Sequence, residues 1–356
     1  MIAAPLELTI PITPRARFDV IDVHGRAAEL HRGALDPYPR CFYCSFHTTA
    51  GYLDQSLAVR LGRRHRGITG YVDAFRTLFP EGAGYRHDEL DERTELSHEQ
   101  RAVEPRNADS HLTFMAAGLR TCVTYRNRPA VPVNFVDLDG MQDGRPRSRV
   151  TSVVGYHAEV EVAQVRLDVP VSGHPVDSIN LKDPRLGLYD QLAELIASHG
   201  VTHGRLRLDL SHGERHAGLT VNEYETLLMQ HDLIEVLRDP LRFMAEKGRH
   251  MLADPRAVPM KTLGYARYDL VRAFNRVVEA LGLSESLLER VVARGFAVPA
   301  SRFLRMRRSV NLLVSDRRAP GRGSIVEGTY QSPILVQWRQ AHGRVRHVVA
   351  TLVQFI

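Results

Sequence analysis

Cys41 and Cys44 form a Cys-x-x-Cys pair, a spacing that in other settings binds zinc or cycles between thiol and disulfide. A zinc ribbon needs a second such pair, and the third cysteine, Cys122, stands alone. A thioredoxin-type motif opens a helix, whereas Cys-Phe-Tyr-Cys-Ser-Phe is an apolar, aromatic run that reads as a strand, in which residues three apart point to opposite faces. The two cysteines are therefore read as separate strand residues. Three more groups could do chemistry. Thr220-Val-Asn222-Glu223 has the form of a capping box before an apolar run, and Asn222 and Glu223 would then stand at a helix N-terminus able to hold an anion. Gly328-Thr329-Tyr330-Gln331 reads as a strand with Thr329 and Gln331 on one face, where they could hydrogen-bond a heterocycle or phosphate, and Tyr330 packed inward; an ordinary strand with Gly328 at a bend fits equally. Arg302, Arg305, Arg307 and Arg308 are either a solvated basic face or a clamp for a phosphorylated substrate.

The chain has 356 residues, 44% of them hydrophobic and 25% charged, as expected for two soluble globular domains. The net charge of +6 invites a nucleic-acid partner, but the charge is dispersed rather than gathered in one tail or helix. All but three of the 47 basic residues are arginine, which also suits small phosphorylated substrates. Nucleic acid is therefore not the expected partner. No basic leader precedes an apolar stretch and no window reaches 18 uninterrupted apolar residues, so neither secretion nor membrane insertion is expected. Three cysteines without a disulfide framework point to a reducing, cytoplasmic setting.

The elements that must position these residues follow from periodicity. Strands are expected at 6–12, 41–48, 112–125, 131–138, 149–157, 158–170, 204–210, 308–315, 324–327, 333–339 and 345–355. Helices are expected at 68–79, stopped by Pro80, at 187–198, ended by Gly200, and at 221–237, 264–281 and 284–294, the last capped by Ser284 and ended by Gly295. Residues 81–107 are polar and acidic without clear periodicity and read as a long loop. Both halves run strand, strand, helix, insertion, strands, the order of a repeat.

The order of short motifs resembles the YjbQ family, single domains of about 140 residues also called secondary thiamine-phosphate synthases. The first half matches at His47-Thr-Thr-Ala50, Tyr85-Arg-His87-Asp88, Asn107 to Leu112 and Val136-Asp137-Leu-Asp-Gly140. It departs where the family has Asn-Glu, holding Gln55-Ser56, and where the family has Gly-Thr-Trp-Gln, holding Val131 to Asn134. The second half matches at Leu219 to Glu223, at Gly328 to Gln331 and in the closing strand Arg346 to Leu352. There the family's turn histidine aligns with Arg302, the acidic residue after the Gln-containing strand aligns with Gln337, and His212 and His216 flank the place of the strand histidine.

The resemblance implies an α+β fold of two YjbQ-like domains with mixed or antiparallel sheets and flanking helices. The boundaries are 1–157, which keeps the histidine motifs, and 158–356, degenerate, with a helical insertion at about 239–300. It implies a homo-oligomer, trimeric in the family, in which fusion replaces one interface by an internal one. It also implies an enzyme acting on a phosphorylated or heterocyclic small molecule, in family terms joining a pyrimidine pyrophosphate to a thiazole phosphate. His47, His87 and His111 with Asp137 could hold a divalent metal such as zinc. Without metal the same histidines could move protons, His87 beside Asp88 or Glu89. Asn222, Glu223 and Gln331 would join the catalytic set, and Thr329, Tyr330, Arg302 and Arg305 would bind substrate. The rival is a ligand- or partner-binding protein on a decayed scaffold. Its discriminating feature is whether His47, His87 and His111 converge.

Overall fold

The alternation that predicts the first strand produces β1 (Leu6–Ile12), with Leu8, Ile10 and Ile12 turned inward. The structure, a computed structural model, describes residues 3–238, 243, 246 and 306–356. After β1 come β2 (Asp19–Asp22), α1 (Val23–His31), β3 (Arg40–Ser45) and β4 (Ala50–Tyr52). Four helices follow: α2 (Gln55–Arg60), α3 (His65–Leu78), α4 (His98–Val103) and α5 (Ala108–Ala116). Then come β5 (Cys122–Arg126), β6 (Asn134–Asp137), the two-residue strands β7 (Met141–Gln142) and β8 (Arg145–Pro146), and β9 (Arg149–Tyr156). The second half holds β10 (Glu159–Pro170), β11 (Asp177–Asn180), α6 (Leu188–His199), β12 (Gly204–Leu210), β13 (Ala217–Asn222) and α7 (Leu233–Arg238). It closes with β14 (Ser309–Ser315), β15 (Ser324–Val326), β16 (Ser332–Gln337) and β17 (Val345–Phe355). Among the described residues every strand pair is antiparallel, so the fold is α+β with antiparallel rather than mixed sheets.

The chain packs as two units. The first joins the N-terminal segment through Leu57 to Leu119–Tyr224 and Met306–Ile356, and it carries all the sheets found among the described residues; the second joins Ala58–Gly118 to the segment that starts at Glu225. Within the first unit each strand ladder lies wholly in residues 1–157 or wholly in 158–356. The sheets are ordered β1-β9-β3-β5 and β2-β6-β4 in one set, β10-β17-β12-β14-β15 and β11-β16-β13 in the other. Matching the strands in chain order makes the two arrangements the same, with β15 and the β7–β8 pair as additions. The second unit's segments leave the sheets at equivalent places, after β4 and after β13.

A buried arginine marks the start of each closing strand. Arg149 grips Asp137, at the end of β6, through two hydrogen bonds of 2.8 and 3.0 Å. Arg346 of β17 reaches Gln337, at the end of β16, at 3.3 Å, and donates to Glu214 at 2.8 Å. Glu214 also accepts the backbone N–H of His347 at 2.8 Å, so its carboxylate supplies the charge that Gln337 lacks.

In β12, Leu206, Leu208 and Leu210 turn inward while Arg205, Arg207 and Asp209 alternate with them. Leu188, Leu192 and Ile196, one turn apart on α6, pack on that apolar face. Each such side chain, once buried, contributes about 1.5–3 kcal/mol. A second cluster joins Phe42, Phe46 and Tyr156 of the first half to Leu313, Val326 and Phe355 of the second, with the Tyr156 and Phe355 rings stacked at 4.1 Å. Cys44 and Cys122 belong to it. They face each other across β3 and β5 with sulfurs 3.0 Å apart, so the partner of Cys44 is Cys122 rather than Cys41.

Several expectations need correction. Residues 108–116 form α5, not strand, and the strand expected over 112–125 begins at Cys122. α5 is buried on every side, so it carries no amphipathic period to distinguish it. The 81–107 loop contains two short 3-10 turns and α4, whose start is fixed by a reciprocal Ser97–Gln100 capping box. The helix expected from 221 starts at 226; Thr220 lies in β13, and Glu225 makes the cap, accepting the N–H groups of Leu227 and Leu228 at 2.8 and 2.6 Å. Gly328 to Gln331 is a turn preceding β16 rather than part of a strand. The helices expected at 264–281 and 284–294, with Ser284 and Gly295, lie outside the described residues.

Removing one partner of a buried ion pair leaves the other uncompensated, at a cost of about 3–5 kcal/mol. Arg149→Met is therefore expected to lower the unfolding free energy by about that much. Chemical denaturation checks this, and adding Asp137→Asn should recover part of the loss. Burial pushes the Cys41 thiol up to about 12 and the Cys44 thiol well above its ordinary value. With all three cysteines buried, a disulfide-exchange reagent at pH 8 should label none in the folded protein and all three after denaturation.

Candidate functional site

The predicted site residues fall into both units. His87 and His111 belong to the second, and His47, Asp137, Asn222, Glu223, Thr329, Tyr330 and Gln331 to the first.

In the second unit, α3 presents Ile68, Val72 and Phe75 to the interior, and its Tyr71 hydroxyl donates to the Ala117 carbonyl at the end of α5 at 2.9 Å. Between these helices the 3-10 turn Arg86–Asp88 is held by Asp232, whose carboxylate accepts the backbone N–H of Arg86 at 3.1 Å and of His87 at 2.9 Å. His87 is fully buried, and its Nδ1 lies 2.9 Å from Asp88 Oδ1. An ionised carboxylate only accepts, so Nδ1 carries the proton and Nε2 is the basic nitrogen. The same Asp88 oxygen accepts the Ala108 N–H at 3.1 Å, tying the turn to the start of α5. His87 Nε2 has no hydrogen-bond partner among the described residues. The His111 ring, also fully buried, lies 5.4 Å from that of His87, centre to centre. Burial disfavours a charged His87, but the hydrogen bond and charge of Asp88 outweigh it and raise the imidazole above its ordinary value. Nearby, Arg93, 2% exposed, donates to Glu95 at 2.7 Å and Glu104 at 2.8 Å and lies 3.6 Å from Glu225.

In the first unit His47 Nε2 accepts the Val150 N–H at 2.8 Å. Burial and the charges of Arg149 and Arg147 hold its imidazole down to about 3. Asp137 has both oxygens on Arg149 and also accepts the Asp139 N–H at 3.0 Å. These two residues do not fit a cation: their acceptor atoms are filled and the surrounding charge is positive. Among the described residues no three His, Cys, Asp or Glu side chains are grouped to hold a metal.

Gln331 is buried and saturated. Its Nε2 donates to the carbonyls of Ser45 and His47 at 3.0 Å each, and its Oε1 accepts the Gly328 N–H at 2.9 Å. Gly328 could not be another residue, since a Cβ there would stand 1.9 Å from the Phe46 carbonyl oxygen. Thr329 and Gln331 therefore share no strand face: Thr329 is exposed on the wall of a cleft, and Tyr330, expected to pack inward, is 68% exposed. Asn222 ends β13 with its Oδ1 on the Glu223 N–H at 2.8 Å, so neither residue stands at a helix N-terminus. Arg307 pairs with Asp54 at 3.3 Å, and Arg308 donates to the carbonyls of Leu210, Ser211 and Glu214, which removes both from a phosphate clamp. Arg302 and Arg305 lie outside the described residues. Of the residues missed, Asp232 stands 145 positions from the backbone it holds and carries no local signal. Glu225, two residues before the apolar run Leu227 to Met229, could have been read as a cap.

No family model matches the chain, and no curated protein matches it. Among solved structures the chain is similar to a YbjQ-like protein of unknown function from Sulfolobus solfataricus P2, at 16% identity and TM-score 0.30, over 55% of this chain and 99% of that one. It is similar to a hypothetical protein from Aeropyrum pernix K1 at 17% identity and TM-score 0.29, over 54% and 99%. It is also similar to an uncharacterized conserved YjbQ-family protein from Clostridium acetobutylicum at 14% identity and TM-score 0.26, over 54% and 99%.

The depressed His47 sets a pH dependence. Unfolded, His47 takes a proton near its ordinary value of 6.5; folded, it takes one only near 3. The stability it contributes is whole above the unfolded value and is lost as pH falls through this window, by up to about 1.4 kcal/mol per pH unit. His47→Gln, which can still accept the Val150 N–H, should flatten stability between pH 6.5 and 4 relative to the parent, as read by urea denaturation across that range.

Proposed function

We propose that the chain is a fused pair of YjbQ-like domains working as a small-molecule enzyme, with proton transfer at His87 as its chemistry. The observation that carries the reading is the His87–Asp88 dyad, its imidazole buried beside His111 and Nε2 without a hydrogen-bond partner among the described residues. Asp88 fixes the tautomer and stabilises the imidazolium that forms when Nε2 takes a proton. Its hydrogen bond and charge raise His87 above its ordinary value, which favours proton uptake at Nε2. Asp232 fixes the backbone of the turn and so the direction of the ring. The Tyr85 to Asp88 and Asn107 to Leu112 motifs that resemble the family are the segments that supply this dyad and its neighbour.

The shared strand order and the paired arginines Arg149 and Arg346 support a tandem duplication. The cluster of Phe42, Tyr156, Leu313 and Phe355 would then be the internal counterpart of an interface between subunits. The substrate class, a phosphorylated or heterocyclic molecule, rests on the sequence resemblance. A second reading, a binding protein without turnover, is favoured by a basic cleft in the first unit whose described lining includes no histidine.

The test is release of pyrophosphate from a hydroxymethylpyrimidine pyrophosphate and a thiazole phosphate. The full chain should release it above the uncatalysed rate. His87→Asn and Asp88→Asn should each lower kcat by about 10²- to 10⁴-fold, measured at a temperature where circular dichroism shows each variant folded. Turnover by His87→Asn at the parent rate would remove the dyad from the mechanism, and an inactive parent would remove this reaction.

A further inference from the structure

Between α6 and the chain around β15 lies a cleft of about 450 Å³ whose walls include Lys182, Arg318, Arg322, Ser324 and Thr329. That size falls in the range of small-molecule sites, about 300–1,000 Å³. Its one acid, Glu327, is already engaged: it forms an ion pair with Lys182 and accepts the Tyr189 hydroxyl at 2.9 Å. Burial and that carboxylate push the Tyr189 phenol well above its ordinary value, so it stays a neutral donor. Three cations against one carboxylate leave the cleft with two positive charges in excess.

Those charges are held by groups with little else to bind. Arg318 has one long contact, 3.5 Å to the Ile325 carbonyl, and the Arg322 guanidinium has no partner among the described residues. Ser324 Oγ is buried and has no hydrogen-bond partner among them either. A buried hydroxyl is ordinarily satisfied, and leaving one unsatisfied costs about 1–3 kcal/mol. A ligand that supplied the missing acceptor would relieve that cost. The wall is fixed at both ends. A Cβ on Gly323 would stand 1.8 Å from the Val201 carbonyl oxygen, Gly328 is pressed on Phe46, and Gln331 locks the turn beyond it. The opposite wall, Ala193 and Ala197 of α6, is apolar.

We propose that this cleft binds a phosphate monoester of a small organic molecule. Arg318 and Arg322 grip the phosphoryl oxygens, the Ser324 and Thr329 hydroxyls donate to them, and the organic body lies on the alanine face of α6. Planar guanidinium forks match a phosphate's paired oxygens. The site lies wholly in the first unit and stands whether or not His87 is catalytic.

Calorimetric titration of the full chain tests it, with phenyl phosphate as probe and phenol and inorganic phosphate as controls. Phenyl phosphate should bind one per chain with Kd of about 1 mM or tighter, more tightly than inorganic phosphate, while phenol does not bind. Arg318→Ala/Arg322→Ala should weaken binding at least about tenfold, Ser324→Ala should weaken it severalfold, and Arg145→Ala, exposed and elsewhere, should leave it unchanged. No saturable binding, or equal binding by the double variant, overturns the proposal. Because the readout is binding rather than turnover, its failure is separate from any failure of the pyrophosphate assay.

Discussion

Arg149 cannot be buried alone. At 4% exposure its guanidinium must find an anion, and it finds Asp137 with both N–H bonds in line. That requirement fixes where β9 begins relative to where β6 ends, and so ties the larger sheet of the first half to the smaller one. The second half meets the same requirement differently. Arg346 stands at the equivalent place, but Gln337 offers an amide, and the anion comes from Glu214 in the connection between β12 and β13. The two halves thus solve one electrostatic problem in two unlike ways.

The units divide labour along the same lines. The described sheets belong to the first, where His47 is kept neutral by burial and by the arginines around it, and Asp137 has both oxygens on Arg149. The second holds the histidines in a setting of the opposite character, with Asp88, Asp232 and Glu225 around His87 and Arg93. An imidazole beside carboxylates gains protons readily; one beside guanidiniums does not. His47 and His87 are both buried, yet their surroundings shift them in opposite directions.

Much of the sheet framework was legible because its strands alternate or carry unbroken apolar runs, as at Leu6–Ile12, Gly204–Leu210 and Val345–Phe355. α6 was legible from its apolar repeat and its left-handed Gly200. α5 was not, because a helix buried all round has no polar face to give a period. Thr220 met the pattern of a cap but lies in a strand, since its backbone pairs with β16. At the site, the identity of His87 was readable from its motif, but the choice of Asp88 over Glu89 as partner was not. A 3-10 turn brings neighbours together, and a loop read without geometry does not reveal that. The Cys44–Cys122 contact was equally invisible, being set by register between strands 78 residues apart.

Gln331 bears on how the two halves relate. Its amide belongs to the second half, but two of its three hydrogen bonds end on first-half carbonyls, and Gly328 is shaped to the same strand end. As separate chains, the halves would have to find this contact by collision, at whatever concentration the cell provides. Joined at 157–159, with the Ile356 carbonyl bonded to the N–H groups of both His157 and Ala158, they meet at an effective concentration set by the tether. The Gln331 bonds then add to the aromatic cluster that also joins the halves. If the halves are the tandem pair proposed above, the tether lets each lose motifs that the other supplies without losing its partner.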